Sequence, residues 1–331
     1  MKKMNILLKV LVASSLVISA VGCGSESAAG QKSDSSTENY KIGVIQLVEH
    51  AALDATYQGF VDGLKEAGLE DGKNITIDYQ NAQGDQSNCQ TIATKLVNDR
   101  SDLILAIATP AAQAVANTTK DIPILVTAVT DPADSKLVAS NGVPGGNVTG
   151  TSDLTPVKEQ IGLISQIVPE AKTVGLVYCS SEANSKFQIQ IAKQEAEALG
   201  LQTIEATVSN SNEIQQVLQS LVGKVEVIYI PTDNMLAAGM ATVAQVTVPA
   251  GIPVICGESG MVENGGTATY GINYYNLGKL TAKQAVEILK EGKKPAEMPI
   301  EYSSECDLVL NKESAEEMGI QLPQDLLDQV K

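Results

Sequence analysis

From Tyr40 onward, short apolar runs alternate with longer stretches in which apolar residues recur every three or four positions. Runs of the first kind read as buried strands and of the second as amphipathic helices; their alternation marks βαβ units on a parallel sheet. "KIGVIQL" (41–47) is a strand, and "ALDATYQGFVDGLKEAG" (52–68) then places Leu53, Tyr57, Phe60, Val61 and Leu64 on one helical face. "NITIDYQ", a helix over 86–100, "DLILAIAT", a short helix and "IPILVTAV" continue the series. A second set follows: "TVGLVYC", a helix ending at Gly200, "QTIEATV", a helix over 212–222, "VEVIYIP" and "IPVIC". Ile122-Pro123 opens the last strand of the first set and Ile252-Pro253 its counterpart, so the two sets predict two similar doubly wound lobes.

After Ala268 the alternation breaks down. "TATYGIN" reads as a strand, "YNLGKLTAKQAVEILKEG" as a long amphipathic helix, "MPIEYSSECDLVLN" as an extended stretch, and 313–318 as a last helix. A tail of this kind returns to the first lobe and crosses again. With the passage near 147–154 it predicts three strands between the lobes, a multi-strand hinge. The expected division is 40–150 with 274–303 for one lobe, and 151–273 with 304–331 for the other.

The segment before Tyr40 obeys neither period. Lys2 and Lys3 precede a twelve-residue apolar run, Val10 to Val21, too short to span a bilayer but suited to a signal peptide over 1–22. The small residues of "SAVGC" before Cys23 resemble a bacterial lipobox, although Ala20 stands where such boxes usually carry Leu. Cys23 is therefore the expected lipid attachment point. The Ser-rich stretch that follows it, to residue 39, is a flexible tether. That arrangement places the protein outside the cytoplasm, anchored to the membrane by lipid.

Composition narrows the function. Of 331 residues, 44% are hydrophobic and 19% charged, enough apolar material for two cores, and the formal charge of −16 disfavours nucleic acid as a partner. Setting Cys23 aside, Cys89, Cys179, Cys256 and Cys306 show no CxxC spacing, so neither a zinc site nor a redox motif is supported, and four buried free thiols are expected.

In open parallel α/β sheets, ligands bind beyond the carboxyl ends of the strands. Those ends are polar here: Glu49-His50 after Leu47, Thr109 before Pro110 and Ala111, and Thr130-Asp131 in the first set. In the second set they are Ser180, Ser181, Glu182 and Asn184, then Thr232-Asp233-Asn234, then Glu258. Thr109 with Pro at the following position reads as a helix N-cap, and amides exposed there also suit a carboxylate; the two roles are compatible. Asp233, Glu258 and Glu182 are candidates for holding an ammonium group, or caps of the helices that follow them. Leu47 and Leu53 offer an apolar wall.

Catalysis finds little support. The sole histidine, His50, neighbours Glu49 but no serine nucleophile, and GxSxG, GxGxxG and GxxxxGK[ST] motifs are not present. His50 and Asp54 at i,i+4 fall short of a metal set, and no cofactor is expected. His50 reads best as the lip of a binding cleft.

The stretches "IGVIQLVEHAALD", "ATPAAQA", "VTAVTDP", "GGNVTGTSD", "VGLVYCSSEANS", "IPTDNM" and "YGINYYNLGKLTAKQAVEIL" resemble the solute-binding lipoproteins of ABC importers. They are similar to the family whose members bind tryptophan, tyrosine or phenylalanine. Such proteins usually carry Pro where Ala51 stands, a departure expected to loosen the loop after the first strand. The resemblance implies a type I periplasmic-binding-protein fold and a clamp whose lobes close on an amino acid. It also implies that the closed form is presented to an ABC permease in the membrane. The absence of Trp, which often stacks on sugars, favours an amino acid. A lipid-anchored pair of lobes on a polar leash is also displayed to host or neighbouring molecules, so an adhesive role, alone or alongside solute binding, is the alternative reading.

Overall fold

The structure, a computed structural model, describes residues 39–303 and 305–330; the leader over 1–22, Cys23 and the tether before Asn39 lie outside the described residues. The first set of elements runs β1 (Tyr40–Gln46), α1 (Ala51–Glu66), β2 (Ile75–Asn81), α2 (Gln86–Asn98), β3 (Leu103–Ile107), α3 (Thr109–Thr118), β4 (Ile124–Val129) and β5 (Val148–Ser152). The second runs α4 (Val157–Ile167), β6 (Thr173–Cys179), α5 (Ala183–Ala198), β7 (Gln202–Val208), α6 (Ile214–Leu221), β8 (Val227–Ile230), α7 (Asn234–Ala238), α8 (Met240–Thr247), β9 (Val254–Cys256), α9 (Ser259–Glu263) and β10 (Ala268–Ile272). The chain ends with α10 (Tyr274–Glu291), β11 (Glu301–Tyr302), β12 (Cys306–Leu310), α11 (Lys312–Glu317) and α12 (Gln324–Leu327).

Among the described residues the strands form two six-stranded sheets of matching order, β2-β1-β3-β4-β5-β11 and β7-β6-β8-β9-β10-β12. Every neighbouring pair is parallel except β10 with β12. The fold is thus two doubly wound α/β lobes, as the alternation predicts. The Ile-Pro echo has a shared structural role: the Pro123 carbonyl accepts from Ile104 N at 2.9 Å, and the Pro253 carbonyl from Ile228 N at 3.0 Å. Each proline starts a strand and anchors it by its carbonyl, since proline has no N–H to give.

β3, β4 and β8 are buried along their whole length, because helices cover both faces of a parallel sheet. Ile42, Val44, Phe60, Leu105, Val126 and Leu277 belong to one core; the second sheet has one cluster around Leu176 and Tyr229 and another around Ile228 and Leu236. The chain passes between sheets three times, from β5 into α4, from β10 into α10, and from β11 to β12. α4 packs on α5 beside β9 and β10, whereas α10 returns to α1 in the first lobe.

Cys89, Cys179 and Cys256 are buried free thiols, but Cys306 is exposed, a correction to the expectation of four buried ones. It begins β12, the antiparallel edge strand of its sheet, which no further strand flanks among the described residues.

The contact between α1 and α10 depends on small residues. A Cβ on Gly59 would lie 2.0 Å from the Tyr275 carbonyl oxygen, and one on Gly278 2.0 Å from that of Thr56. Backbone atoms cannot swing aside, so Gly59→Ala is expected to lower stability in urea unfolding by about 3 kcal/mol, the upper end of overpacking costs. Gly162 in α4 has nothing within 4 Å of such a Cβ. Gly162→Ala should instead stabilise by up to about 1 kcal/mol through helix propensity.

Candidate functional site

The carboxyl ends of β1, β4 and β5 face those of β6, β8 and β9 across a closed cleft. Direct hydrogen bonds cross it: Thr130 and Thr232 hydroxyls are 3.2 Å apart, Gln188 Nε2 donates to Thr130 Oγ1 at 3.2 Å, and His50 Nε2 lies 3.3 Å from Asn234 Oδ1. Between them is a cavity lined by His50, Leu53, Ala128, Thr130, Asp153, Asn184, Thr232, Asp233, Asn234, Ala237, Glu258 and Tyr274, with a volume of about 10 Å³. That is room for about one water molecule, far below a ligand pocket, so its walls must part to receive an amino acid. A wider groove lined by Leu47, Pro110, Ser181, Glu182 and Asn234 meets the cavity at Asn234.

Seven of the residues expected from strand ends line the cavity: His50, Thr130, Asn184, Thr232, Asp233, Asn234 and Glu258. Leu47 and Ser181 line the groove. Five others line neither. Glu49 is exposed and Ala111 is packed in the first core. Ser180 binds the Val208 carbonyl through its N–H and hydroxyl. Asp131 Oδ1 accepts from Ala133 N, Asp134 N and Asn141 Nδ2, which secures its own loop instead of facing the cleft. Thr109 is not an N-cap, a further correction: it is the first residue of α3, and Ala108 holds the cap position at φ 82°. β3 ends in this left-handed kink, so the helix starts a residue early and leaves the buried Thr109 hydroxyl without a partner. Ala128 is also left-handed, at φ 52°, where β4 slips register against β5. A bulge there turns the strand end and brings Ala128 and Thr130 to the cavity wall.

The three acids weighed for the ammonium are occupied by helix N-termini. Asp233 caps α7, accepting from Leu236 N at 2.9 Å, and also takes Cys179 N at 2.6 Å and Ser185 Oγ at 2.7 Å. Glu258 caps α9 through Gly260 N and Met261 N. Glu182 accepts from the amides of Asn234 and Met235, so it serves α7 rather than its own helix.

The carboxylate with a free oxygen is Asp153, directly after β5. Its Oδ2 accepts from Tyr274 Oη at 2.8 Å; the Thr130 hydroxyl and the Asp153 backbone also pull on the carboxyl, but no well-aligned donor reaches its buried Oδ1. Two further buried acceptors line the same cavity. Asn184 Nδ2 donates to Glu182 and to the Thr232 carbonyl, so its unpartnered Oδ1 can only accept. Asn234 Nδ2 donates to Glu182 Oε2, so Asn234 Oδ1 is an acceptor and His50 Nε2 carries the proton toward it. Burial lowers the His50 pKa and keeps the ring neutral, leaving its unpartnered Nδ1 an acceptor too. Unpaired buried acceptors are costly, and an ammonium group has three N–H donors for three of them.

Sequence reasoning missed Asp153 and Tyr274. Both obey the strand-end rule if it is applied to "NVTGTS" and "TATYGI", the two strands that lead out of one lobe and into the other.

Two equivalent α/β lobes, three crossovers and a polar cavity sealed between strand ends define a solute-binding clamp of the type I periplasmic-binding fold. Solved solute-binding proteins at 13–15% identity share that fold. The chain belongs to the ABC transporter substrate binding protein family, whose profile matches residues 41–331. It is 40% identical over 326 residues to a tyrosine-binding protein of Clostridioides difficile, covering 97% of this chain and 94% of that one. A crystal structure from Streptococcus pneumonia in complex with L-Trp superposes with a TM-score of 0.86 at 41% identity, covering 88% of this chain and 99% of that one. The ligand-free, open form of a Clostridium difficile substrate-binding protein with adhesive properties is 46% identical, with coverage of 88% and 98% and a TM-score of 0.67. The role is binding, not catalysis, and it is carried out outside the cytoplasm.

Burial raises the pKa of Asp153 from 3.8 to about 6 and that of Glu258 from 4.5 to about 7, against the pull of their hydrogen bonds. Glu182 and Asp233, buried side by side, are raised as well. Carboxyls raised by folding add stability that is complete below their unfolded pKa and lost as pH climbs through the folded one. Thermal denaturation of ligand-free protein should therefore show a higher midpoint at pH 5 than at pH 8, and Asp153→Asn should reduce the difference.

Proposed function

We propose that this chain captures an aromatic amino acid, tyrosine, phenylalanine or tryptophan, and passes it to a permease of an ABC importer while anchored by a lipid on Cys23. The observation that carries the reading is the cavity whose unpaired polar atoms are all acceptors, Asp153 Oδ1, Asn184 Oδ1 and His50 Nδ1. That set fits an α-ammonium group. Leu53, Ala128, Ala237 and the Tyr274 ring supply apolar wall. The names of the relatives, a tyrosine-binding protein and an L-Trp complex, support the aromatic class. The α-carboxylate belongs in this reading at the start of α3, where Pro110 lines the groove beside the cavity and α3 approaches α5 of the opposite lobe, with the unpartnered Thr109 hydroxyl behind it.

In this reading residues 40–150 with 274–303 move as one lobe and 151–273 with 304–331 as the other. The ligand favours closure because its ammonium and carboxylate reach groups of both lobes only when they meet.

Isothermal calorimetry against the three aromatic amino acids and leucine tests the proposal; heat from none of the aromatic set rejects it. Asp153→Asn removes the charge opposite a buried cation and should weaken binding by about 3 kcal/mol, more than a hundredfold. Because the bound ammonium requires ionised Asp153, affinity should fall below pH 6, by up to about tenfold per unit, as the carboxylate takes up a proton. Thr109→Ala should weaken binding by about 1–3 kcal/mol, if its hydroxyl meets a charged carboxylate.

An adhesive role beside solute binding is favoured by the 46% identity to a substrate-binding protein with adhesive properties. Cells carrying Asp153→Asn should then still attach to host surfaces, and cells lacking the whole chain should not. Equal attachment by both removes this role.

A further inference from the structure

The hydrogen bonds across the cleft include a set centred on a residue that does not line the cavity. Gln188, on α5 of the second lobe, is fully buried. Its Nε2 donates to Thr232 Oγ1 at 2.6 Å and shares its second N–H between Thr130 Oγ1 and the Asn184 carbonyl, each at 3.2 Å. Its Oε1 accepts from Thr232 N at 3.3 Å. Thr232 belongs to the same lobe, whereas Thr130 comes from the end of β4 in the first lobe. The Thr130 carbonyl is itself held by Ser152 Oγ at 2.6 Å, at the first crossover between lobes. Protein atoms alone complete this cluster.

We propose that Gln188, from outside the cavity, latches the lobes together through Thr130 and Thr232 in the cavity wall, and so stabilises the closed clamp and sets affinity for every solute by a common factor. The inference deepens the clamp reading and rests on it. When the lobes part, Gln188 keeps its bonds to Thr232 and Asn184, and Thr130 loses both of its partners across the cleft. The closed state therefore owns the Thr130–Thr232 hydrogen bond, and a share of the Gln188 amide for Thr130, that the open state lacks. Observed affinity scales with the fraction of protein able to close. A group that favours closure slows solute release and leaves relative preferences alone, whereas a group that contacts the solute changes those preferences. Gln188 is a positioning residue in this sense.

Two variants and a conservative control test the latch. Gln188→Met fills similar space without polar atoms, and Thr130→Val removes the hydroxyl isosterically; Thr130→Ser keeps it. Electron-spin distance measurements between labels on the two lobes, in ligand-free protein, should show a closed population in the wild type and in Thr130→Ser that falls in Gln188→Met and Thr130→Val. By calorimetry and stopped flow, Gln188→Met should bind tyrosine, phenylalanine and tryptophan about fivefold more weakly each, through faster release, one cross-cleft hydrogen bond of ordinary strength being lost. Circular dichroism and thermal melting establish that each variant is folded. Unchanged distance distributions in both variants overturn the latch, as does a loss of affinity confined to one amino acid. The distance measurement needs no solute, so a failure of the aromatic assignment leaves the latch decided on its own evidence.

Discussion

A carboxylate sealed between two lobes with one oxygen unpaired is the feature on which the rest of the site depends. Burying such a group away from bulk water costs several kcal/mol, which a donor or a cation offsets. Asp153 has one oxygen on the Tyr274 hydroxyl and the other bare, and Asn184 and His50 add two more bare acceptors around the same space. The other acids in the cleft are held differently. Asp233, Glu258 and Glu182 are each satisfied by backbone amides at helix starts, and they organise α7 and α9. Among these acids Asp153 alone keeps an oxygen without a well-aligned donor.

Asp153 and Tyr274 also lie where the chain crosses between lobes, after β5 and after β10 respectively. Their hydrogen bond joins two of the three crossovers, so a charge arriving at Asp153 acts on the part of the molecule that must bend. The Thr130 cluster sits close by, with its carbonyl on Ser152. Cavity wall, crossover and interlobe contact are thereby packed into a few residues at the ends of β4 and β5. The strained backbone at Ala108 and Ala128 fits the same picture, since strain of this kind persists where surrounding structure over-determines it.

The alternation of apolar runs and helical faces, and the repeated Ile-Pro, already specified two matching lobes, because a two-sided sheet imposes continuous apolar strands and a helical period between them. The tail crossing back and forth was legible for the same reason. The polar residues after strands were legible as a group, since the carboxyl ends of parallel strands are where side chains can meet a ligand. Neighbouring residues at those ends were harder to separate. Thr130 faces the cavity and Asp131 faces its own loop, a difference made by the bulge in β4 and by Asn141, ten positions away.

What the chain's linear order determined was therefore the architecture, the hinge count and the neighbourhood of the site, all consequences of local periodicity and burial. Which acid stays unpaired, which threonine pairs across the cleft and which nitrogen of His50 is bare were decided only in three dimensions. Each depends on whether a distant amide or hydroxyl, brought in by the opposite strand end or the opposite lobe, has already taken the available lone pair or proton.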